Sequence, residues 1–436
     1  MRLPPELSRA DVVAKERAHV WPPYTSSERH ERTDPLVIVG GEGAWIEDAD
    51  GRRLIDGNGS WWTCTLGHGH PRLRRALTAQ AEALMHVAAG GITHAPVALL
   101  AEELAAVAPE GLSRAHFSDD GSTAVEVAVK AAFQYWQQNG RPERTRFIAL
   151  AGAYHGDTLG AASLAALDEF HHVFHPLLFE VIRPPDPEDA HGWERAVARI
   201  EDELAARPET IAGVVVEPLL QGAAGMRIWD AALLRRLREA THAADTFLIA
   251  DEVFTGYGRT GAMWACELAG VVPDLLCVAK GFTAGVLPMA ATLASERVYD
   301  GFRGGAERAL MHGHTFCGNP LGAAVAREVL AIYRDEDVLG QVAERAPIVR
   351  EAFERIGTVN GVHRSRSLGM MGAADLGEGG YAGQTGWRVF EAALRRGAFL
   401  RPLGDTVYVT PPLNVPLADL EQLLSIVEES VREVLA

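Results

Sequence analysis

The segment TFLIADEVFTGYGRTG, residues 246–261, joins a short apolar run to a glycine-rich loop and decides the fold class. Its glycines Gly256, Gly258 and Gly261 fit the G-x-G-x-x-G pattern of dinucleotide binding. In such sites the glycines directly follow a strand and open a helix onto the pyrophosphate. Here the predicted strand ends at Asp251, five residues before Gly256. The pattern therefore gives a nicotinamide dehydrogenase little support.

A second apolar run ends in Lys280, 29 residues after Asp251, which is about the length of one strand–helix–strand unit. The carboxyl ends of strands in an open α/β sheet line a ligand crevice, so this acid and this amine can face one planar cofactor. Pyridoxal phosphate needs such a pair: an amine that bonds its aldehyde and a carboxylate for its pyridine nitrogen. Taken singly, Asp251 is more often a helix cap and Lys280 a surface lysine, but their joint placement favours the cofactor site.

Further apolar runs alternate with helical patterns and predict an α/β fold with a mainly parallel sheet. The predicted strands are RAHFSD (114–119), RFIALAG (146–152), AGVVVEP (212–218), TFLIAD (246–251) and LLCVAK (275–280). The clearest helices are STAVEVAVKAAFQYWQQNG, capped by Ser122 and closed by Gly140, and DAALLRRLREATHA, capped by Asp230. We assign residues 76–330 to a large cofactor-binding domain.

Both ends of the chain, residues 1–75 and 331–436, are assigned to a smaller α+β domain. VIVGGEGAWIEDADGRRLID (37–56) predicts strands joined by a turn at Asp50 and Gly51. VHRSRSLGMMGAADL (362–376) and FLRPLGDTVYVTPPL (399–413) predict antiparallel strands. AGVLPMAATLAS (284–295) and residues 374–386 are interpreted as flexible loops because they are rich in glycine and alanine or poorly patterned.

Composition excludes several classes of protein. The 58 acidic residues against 41 basic ones give a formal net charge of −17, so a nucleic acid would be repelled. Four scattered cysteines (Cys64, Cys266, Cys277 and Cys317) indicate reduced thiols rather than disulfides or a zinc site. No apolar leader or membrane-spanning run is present. We expect a cytoplasmic protein that acts on small molecules.

The histidine groups invite a metal interpretation that the sequence does not support. They are His68-x-His70, His171-His172 with His175, and His312-x-His314, and no acidic or thiol partner lies at ligand spacing beside them. The prediction is therefore that no metal is bound.

A phosphate and an aromatic ring also find candidate partners in the sequence. SDDGSTAVEVAVK (118–130) places Gly121 and Ser122 at the start of a helix, whose free N–H groups attract an anion. Tyr154, in AYHGDT (153–158), follows a predicted strand and offers a ring that can stack on the cofactor. The competing interpretations are an ordinary helix cap and a core tyrosine.

With VVVEPLLQGAAGM (214–226), VAKGF (278–282) and HGHTFCGNPLG (312–322), these segments resemble, in order and spacing, the class III aminotransferases. The resemblance implies the fold-type I pyridoxal phosphate architecture, with a seven-stranded, mainly parallel sheet. It implies Lys280, Asp251 and Tyr154 as catalytic residues. Glu217 and His314 would join Gly121 and Ser122 around the cofactor, and His155 would hydrogen-bond nearby. It further implies a homodimer in which Thr315 reaches the phosphate of the partner's cofactor.

Further segments resemble the branch of this family that transfers an amino group from S-adenosylmethionine to 8-amino-7-oxononanoate. They are VWPPYTS (20–26), DGNGSWWTCTLGHGHP (56–71), HVAAGGITHAP (86–96) and RPLGDTVYVTPPL (401–413). The resemblance implies that the substrate is contacted by Tyr24, Trp61, Trp62, Tyr154, Asp157, Gly313, Arg401 and Tyr408. A long methylene chain that ends in a carboxylate suits an aromatic tunnel with one arginine.

The tryptophan pair is placed on a strand, where neighbouring side chains point to opposite faces, so at least one ring needs a separate explanation.

Many members of the branch have Gly-Pro-Thr where this chain has Gly313-His314-Thr315. The amino donor therefore stays open between S-adenosylmethionine and lysine. The sequence is also compatible with an ω-amino-acid:pyruvate transaminase, an aminomutase or a non-catalytic binding protein.

Overall fold

The computed structural model describes residues 3–4, 7–165, 167–187, 191–378 and 380–436. The strands are β1 Ile38–Glu42, β2 Trp45–Asp48, β3 Arg53–Asp56, β4 Leu112–Ser118, β5 Arg146–Ala149, β6 Val181–Ile182, β7 Ile211–Val216, β8 Leu220–Gln221, β9 Arg227–Ile228, β10 Phe247–Asp251, β11 Leu275–Val278, β12 Ala290–Ser295, β13 Arg364–Leu368, β14 Met371–Asp375, β15 Ala398–Phe399 and β16 Thr406–Val409. The α-helices are α1 Arg9–His19, α2 Ser27–Arg32, α3 Gly59–Trp62, α4 Pro71–Ala83, α5 Ala95–Val107, α6 Gly121–Gln138, α7 Leu159–Leu164, α8 Asp168–His171, α9 Gly192–Ala206, α10 Ala231–Ala243, α11 Ala265–Leu268, α12 Glu296–Asp300, α13 Pro320–Asp335, α14 Val338–Ile356, α15 Thr385–Arg396 and α16 Leu417–Leu435. Short 3₁₀ turns cover His172–Leu177, Pro208–Thr210, Lys280–Thr283, Ala306–Arg308 and Gly380–Ala382.

A seven-stranded sheet, in the order β4-β12-β11-β10-β7-β5-β6, forms the centre of the described structure. β11, β10, β7, β5 and β6 pair in parallel, whereas β12 runs antiparallel to both β11 and β4. Every residue of β7, β10 and β11 is buried, because helices cover both faces of the sheet. The predicted α/β fold with a mainly parallel sheet is confirmed.

The prediction of a flexible loop over residues 284–295 is wrong, because its second half is β12. Ala290 and Ala291 are fully buried, and the hydroxyl of Thr292 donates to the Ala124 carbonyl of α6 at 2.7 Å. A helix that lies this close to the sheet leaves room only for small side chains. The alanines in this segment therefore reflect tight packing rather than flexibility.

The two ends of the chain meet in a second sheet, ordered β1-β2-β3-β15. The predicted turn between β2 and β3 is confirmed, and Gly51 in it has a left-handed φ of +82°. β13, β14 and β16 form an antiparallel sheet, as predicted. Only Phe399, the first residue of the segment 399–413, departs from this arrangement, because it belongs to β15 and pairs in parallel with β3.

No helix in the described ranges is both long enough and apolar enough to cross a bilayer.

A partly buried ion pair beside this second sheet predicts a loss of stability at alkaline pH. His68 Nε2 lies 3.0 Å from Asp56 Oδ2, and hydrogen bonds to Asp56 and Cys64 raise the pKa of His68 to about 10. The stabilisation is complete below the unfolded-state pKa of about 6.5 and is lost as pH rises towards 10. We expect His68→Gln to reduce this pH dependence in urea unfolding between pH 6.5 and 9.5 at fixed protein concentration. His19→Gln, on the exposed surface of α1, is the control, and parallel curves for wild type and His68→Gln would contradict the assignment.

Candidate active site

A cavity of about 390 Å³ opens where β4, β7, β10 and β11 end, the edge of the sheet at which α/β proteins bind ligands. The predicted site residues that line it are Gly121, Ser122, Tyr154, Glu217, Asp251, Lys280 and Trp62. The structure thus brings together residues that are as much as 218 positions apart in the sequence, from Trp62 to Lys280. The strand order accounts for this convergence.

Asp251 is the last residue of β10 and is almost fully buried. Its Oδ2 lies 2.7 Å from His155 Nδ1, and its Oδ1 accepts a hydrogen bond from the Val253 N–H at 3.1 Å. These two contacts fix the plane of the carboxylate. In the described part of the chain, the buried Nε2 of His155 has no hydrogen-bond partner.

Lys280 follows β11, begins a 3₁₀ turn and has a left-handed φ of +47°. Its Nζ lies 4.9 Å from the centroid of the Trp62 ring. Burial lowers the pKa of the Lys280 amine, although the negative charges of Asp251 and Glu217 act in the opposite direction. A lowered pKa makes the unprotonated, nucleophilic amine more accessible at neutral pH.

Glu217 directly follows β7 and is also buried. Its carboxylate accepts hydrogen bonds from the backbone N–H of Tyr154 at 3.0 Å and of Gly222 at 2.9 Å. Burial raises the pKa of Glu217 to about 7, and Asp251 acts in the same direction. Glu217 therefore ties two loops of the cavity wall together.

The opposite end of the cavity is the N-terminus of the 18-residue helix α6. Its N-cap is Asp120, whose Oδ1 accepts from the Thr123 N–H at 2.9 Å, so the prediction that Ser122 is the cap is wrong. Ser122 Oγ instead accepts from the Asp157 N–H at 3.2 Å. A Cβ added to Gly121 would lie 2.6 Å from Val253 Cγ1, so only glycine keeps this turn as close as it is.

The tryptophan pair lies in a tight left-handed turn, the segment labelled α3, and not on a strand, which corrects the prediction. Trp61 and Trp62 have left-handed φ values of +60° and +74°. Trp62 is buried, and 4.3 Å separates the centroid of its ring from that of the Phe254 ring. Its Nε1 donates a hydrogen bond to the Tyr408 hydroxyl at 3.0 Å. Trp62 lines the cavity and Trp61 does not, so Trp62 is the member of the pair that faces it. Tyr408 is buried.

Beside the cavity, hydrogen bonds join three predicted substrate residues, because Tyr24 and Tyr154 both contact the carboxylate of Asp157. Asp157 Oδ2 accepts a hydrogen bond from the Tyr24 hydroxyl and another, at 2.9 Å, from the Tyr154 hydroxyl. Burial and the bond to Asp157 raise the pKa of Tyr24 to about 12, so its hydroxyl stays protonated at neutral pH. Trp61 contacts Tyr24 edge to face, with 5.6 Å between the ring centroids.

Arg401 follows β15, and its guanidinium lies 4.4 Å from the centroid of the Trp61 ring. Its backbone N–H donates to Asn58 Oδ1, which holds the turn. Within the described ranges, no carboxylate lies close enough to form an ion pair with the guanidinium. Such a cation on an aromatic face is available for the carboxylate of a ligand.

Gly313, His314 and Thr315 do not line the cavity of this chain and lie on its surface. His314 Nδ1 lies 2.8 Å from Oδ2 of Asp119, a cavity residue, and the His314 N–H donates to Cys317 Sγ at 3.0 Å. The premise that no acidic or thiol group accompanies these histidines is therefore wrong. The three potential ligand atoms lie within 4.8 Å of one another.

Sequence reasoning assigned no site role to Phe254, Asp119 or His171. Phe254 had a weak signal, because it lies in the loop directly after Asp251. Asp119 and His171 had none, since their contacts with His314 and Asp157 depend on the folding of distant segments.

The chemical groups that line the cavity fit pyridoxal phosphate. The glycine-lined helix N-terminus suits a phosphate, the amine of Lys280 an aldehyde, and the oriented carboxylate of Asp251 a protonated ring nitrogen. His155, with its free buried nitrogen, lies behind Asp251 and would hold that carboxylate in place.

Comparison with known proteins agrees with this geometry. Residues 26–431 match the family described as Aminotransferase class-III. The adenosylmethionine-8-amino-7-oxononanoate aminotransferase of Geobacter sulfurreducens is 40% identical, over 96% of this chain and 97% of that protein. The crystal structure of the Methanocaldococcus jannaschii enzyme of the same name superposes with a TM-score of 0.93 at 31% identity, over 98% of this chain and 99% of that one. An amine transaminase from an uncultivated Pseudomonas species, in its PLP-bound form, has a TM-score of 0.88 at 33% identity, over 96% of this chain and 99% of that one. The chain therefore belongs to the class III aminotransferases.

Proposed function

We propose that this chain is a pyridoxal phosphate-dependent transaminase that converts 8-amino-7-oxononanoate into 7,8-diaminononanoate in biotin biosynthesis, with S-adenosylmethionine as the amino donor. The observation that carries the proposal is the placement of the Lys280 amine and the Asp251 carboxylate in one cavity. The substrate assignment is supported by the Geobacter relative and by the Methanocaldococcus structure, both of which carry that activity in their names.

Bound pyridoxal phosphate supplies an aldehyde for the amino group and a ring that withdraws electrons from the reacting carbon. The chain supplies the proton transfers. Lys280 Nζ, with its lowered pKa, would take the proton from the amine-bearing carbon of the donor and pass it to the carbon that carried the aldehyde of the cofactor, and it would move a proton in the opposite direction in the second half-reaction. Asp251, oriented by His155, would keep the ring nitrogen of the cofactor protonated. Trp62 and Phe254 exclude water from one side of the lysine.

Arg401 and the aromatic side chains around it suit the far end of the substrate. The oxo acid is a methylene chain with a terminal carboxylate, which an unpaired guanidinium can bind with two hydrogen bonds. Trp61 and Tyr24 lie on the same side of the site and offer apolar surface for the chain. The amino donor also carries a carboxylate, so one arginine can serve both half-reactions.

Arg401→Ala is expected to raise the KM for 8-amino-7-oxononanoate by roughly tenfold to a hundredfold, the range expected for a lost hydrogen bond to a charged group. Steady-state kinetics with varied oxo acid measure the change. The matched control is Arg53→Ala, which removes an exposed guanidinium that lies 5.0 Å from the centroid of another tryptophan ring, Trp45. An unchanged KM in Arg401→Ala would remove this residue from the substrate site.

We further infer a cytoplasmic homodimer whose two sites are shared between subunits. Thr315 is exposed in the isolated chain and lies next to Phe316, which is 59% exposed. Large apolar side chains elsewhere, among them Trp21 at 95% and Ile92 at 60% exposure, are also open to a second subunit. The described cysteines are all unpaired and buried, which suits a reducing compartment.

Mixing two variants, each defective at a different part of the site, tests whether the site is shared between subunits. Homodimers of Lys280→Ala lack the amine in both sites, and homodimers of Thr315→Ala lack the threonine contributed across the interface to both. A mixed dimer has both defects in one site and none in the other, so we expect it to regain up to half the wild-type activity per dimer. Mixing without any recovery would argue against a threonine shared across the interface.

The absorbance of the cofactor-loaded protein tests the donor and the acceptor separately. S-adenosylmethionine alone should convert the cofactor to its amine form, and 8-amino-7-oxononanoate should then restore the starting spectrum. If only lysine, added to a separate sample, produces the first change, the donor assignment is wrong. If neither donor does so, the assignment to biotin synthesis fails. An ω-amino-acid:pyruvate transaminase then becomes the better interpretation, in line with the similarity to the Pseudomonas enzyme.

A further inference from the structure

His171 is a buried imidazole for which the catalytic chemistry described above has no use. It is the last residue of α8 and is 3% exposed. Its Nε2 lies 3.2 Å from Asp157 Oδ1, the oxygen that the tyrosines do not use. The carboxylate thus has one oxygen towards the imidazole and the other towards the hydroxyls of Tyr24 and Tyr154.

The direction of the hydrogen bond follows from the partners. An ionised carboxylate only accepts, so the proton lies on His171 Nε2. Among the described residues, His171 Nδ1 is buried without a partner, so nothing competes for the ring. Burial acts to raise the pKa of Asp157, but the hydrogen bonds from His171, Tyr24 and Tyr154 outweigh it and hold that pKa below its ordinary value.

The side chain of Asp157 needs such a partner because it is 52% exposed, whereas that of His171 is 4% exposed. An exposed aspartate exchanges between rotamers unless its oxygens are held. The imidazole is itself held, since it lies parallel to the Tyr154 ring, with 6.1 Å between centroids and 9° between planes. The rigid member of the pair is therefore the histidine.

The position of Tyr24 depends on the position of the Asp157 carboxylate. Its φ of +50° is left-handed, a conformation that a tyrosine keeps only when its surroundings hold it. Its hydroxyl meets Asp157 and lies 3.2 Å from the hydroxyl of Tyr154, and its ring packs on Trp61 and Phe170. A displaced Asp157 would remove one of these anchors from the segment around residue 24.

We propose that His171 is a positioning residue, which holds the Asp157 carboxylate where it anchors Tyr24 and Tyr154 in the substrate wall. The inference rests on the proposed function for its kinetic consequence, because it makes His171 a determinant of substrate affinity rather than of the chemical step. The anchoring itself is a property of the protein without substrate.

Two substitutions separate the donated hydrogen bond from simple packing. His171→Phe keeps a ring beside Tyr154 and loses the N–H. His171→Gln loses the ring but carries an N–H the same number of bonds from Cβ. We expect His171→Phe to raise the KM for 8-amino-7-oxononanoate about tenfold with kcat within about twofold. His171→Gln should stay close to the wild type.

Hydrogen–deuterium exchange of the cofactor-loaded protein without substrate gives a readout that needs no activity. We expect faster exchange across residues 20–30 in His171→Phe but not in His171→Gln. Asp157→Asn, which leaves α8 unchanged, should reproduce the faster exchange, and it replaces His171→Phe if that variant does not fold. Faster exchange confined to residues 159–179, or equal behaviour of the Phe and Gln variants, would overturn the proposal. Failure of the proposed function would instead appear as wild-type protein that does not transaminate the oxo acid, with the exchange pattern unaffected.

Discussion

Lys280→Ala is expected to lower the steady-state rate of transamination by at least about 10³-fold, because the variant lacks the amine to which we assign proton transfer at the reacting carbon. Among the residues that the structure describes, no second amine lines the cavity, since the other lysines of the chain are Lys15 and Lys130 and neither lines it. Steady-state turnover and a single-turnover experiment with the donor measure the loss. The variant should retain cofactor through the start of α6 and Asp251.

The control for this prediction is Lys15→Ala, which removes an exposed amine from α1 and should leave turnover unchanged. Borohydride reduction of the wild-type holoenzyme, followed by peptide mass spectrometry, should place the cofactor on the peptide that contains Lys280. Turnover near the wild-type rate in Lys280→Ala would refute the assigned role.

Asp251→Asn is expected to lower kcat by about 10²- to 10³-fold, the loss that follows removal of one preorganised electrostatic contact. An asparagine of the same size can still accept the Val253 N–H, so the loop should keep its shape. It cannot, however, supply the negative charge that keeps a ring nitrogen protonated. Single-turnover kinetics and the absorbance of the loaded variant measure the effect.

Glu217→Gln is the matched control for Asp251→Asn, because both carboxylates are buried in the same cavity. Burial raises the pKa of Glu217 to about 7, so its protonated, uncharged form is accessible near neutral pH, and a glutamine is likewise uncharged. We expect a loss of less than about tenfold, because only the hydrogen bonds to Tyr154 and Gly222 change. Equal losses in the two variants would contradict the distinct role of Asp251.

The sequence predicted the centre of the fold because its strands are buried on both faces and therefore are continuous apolar runs. Asp251 and Lys280 could be paired on the same basis, since each directly follows or ends such a run and parallel strands share an edge. β12 was missed because an alanine-rich strand has no such signal. Its identity depends on the close approach of α6, which involves residues more than 160 positions away, as in the bond from Thr292 to Ala124.

The turn at Trp61 and Trp62 could not be predicted for a related reason. Left-handed φ values at consecutive non-glycine residues are imposed by tertiary contacts, not by local preference. Here Asn58 Nδ2 donates to the Tyr408 carbonyl at 3.3 Å, across 350 positions of sequence. The partners of His314 are hidden in the same way, because Asp119 is 195 positions away. The domain boundaries and the roles of the individual site residues stay predictions.

The position of Trp62 close to Lys280 also makes the fluorescence of Trp62 a signal of cofactor binding. The centroid of its indole ring lies 4.9 Å from Lys280 Nζ, the amine to which we assign the cofactor, which is well within range for its emission to be quenched by a chromophore at that position. Loading and release of the cofactor can then be followed by intrinsic fluorescence, without a label or a coupled assay. Since the chain has nine tryptophans, comparison with Trp62→Phe isolates the signal of this ring from that of the others.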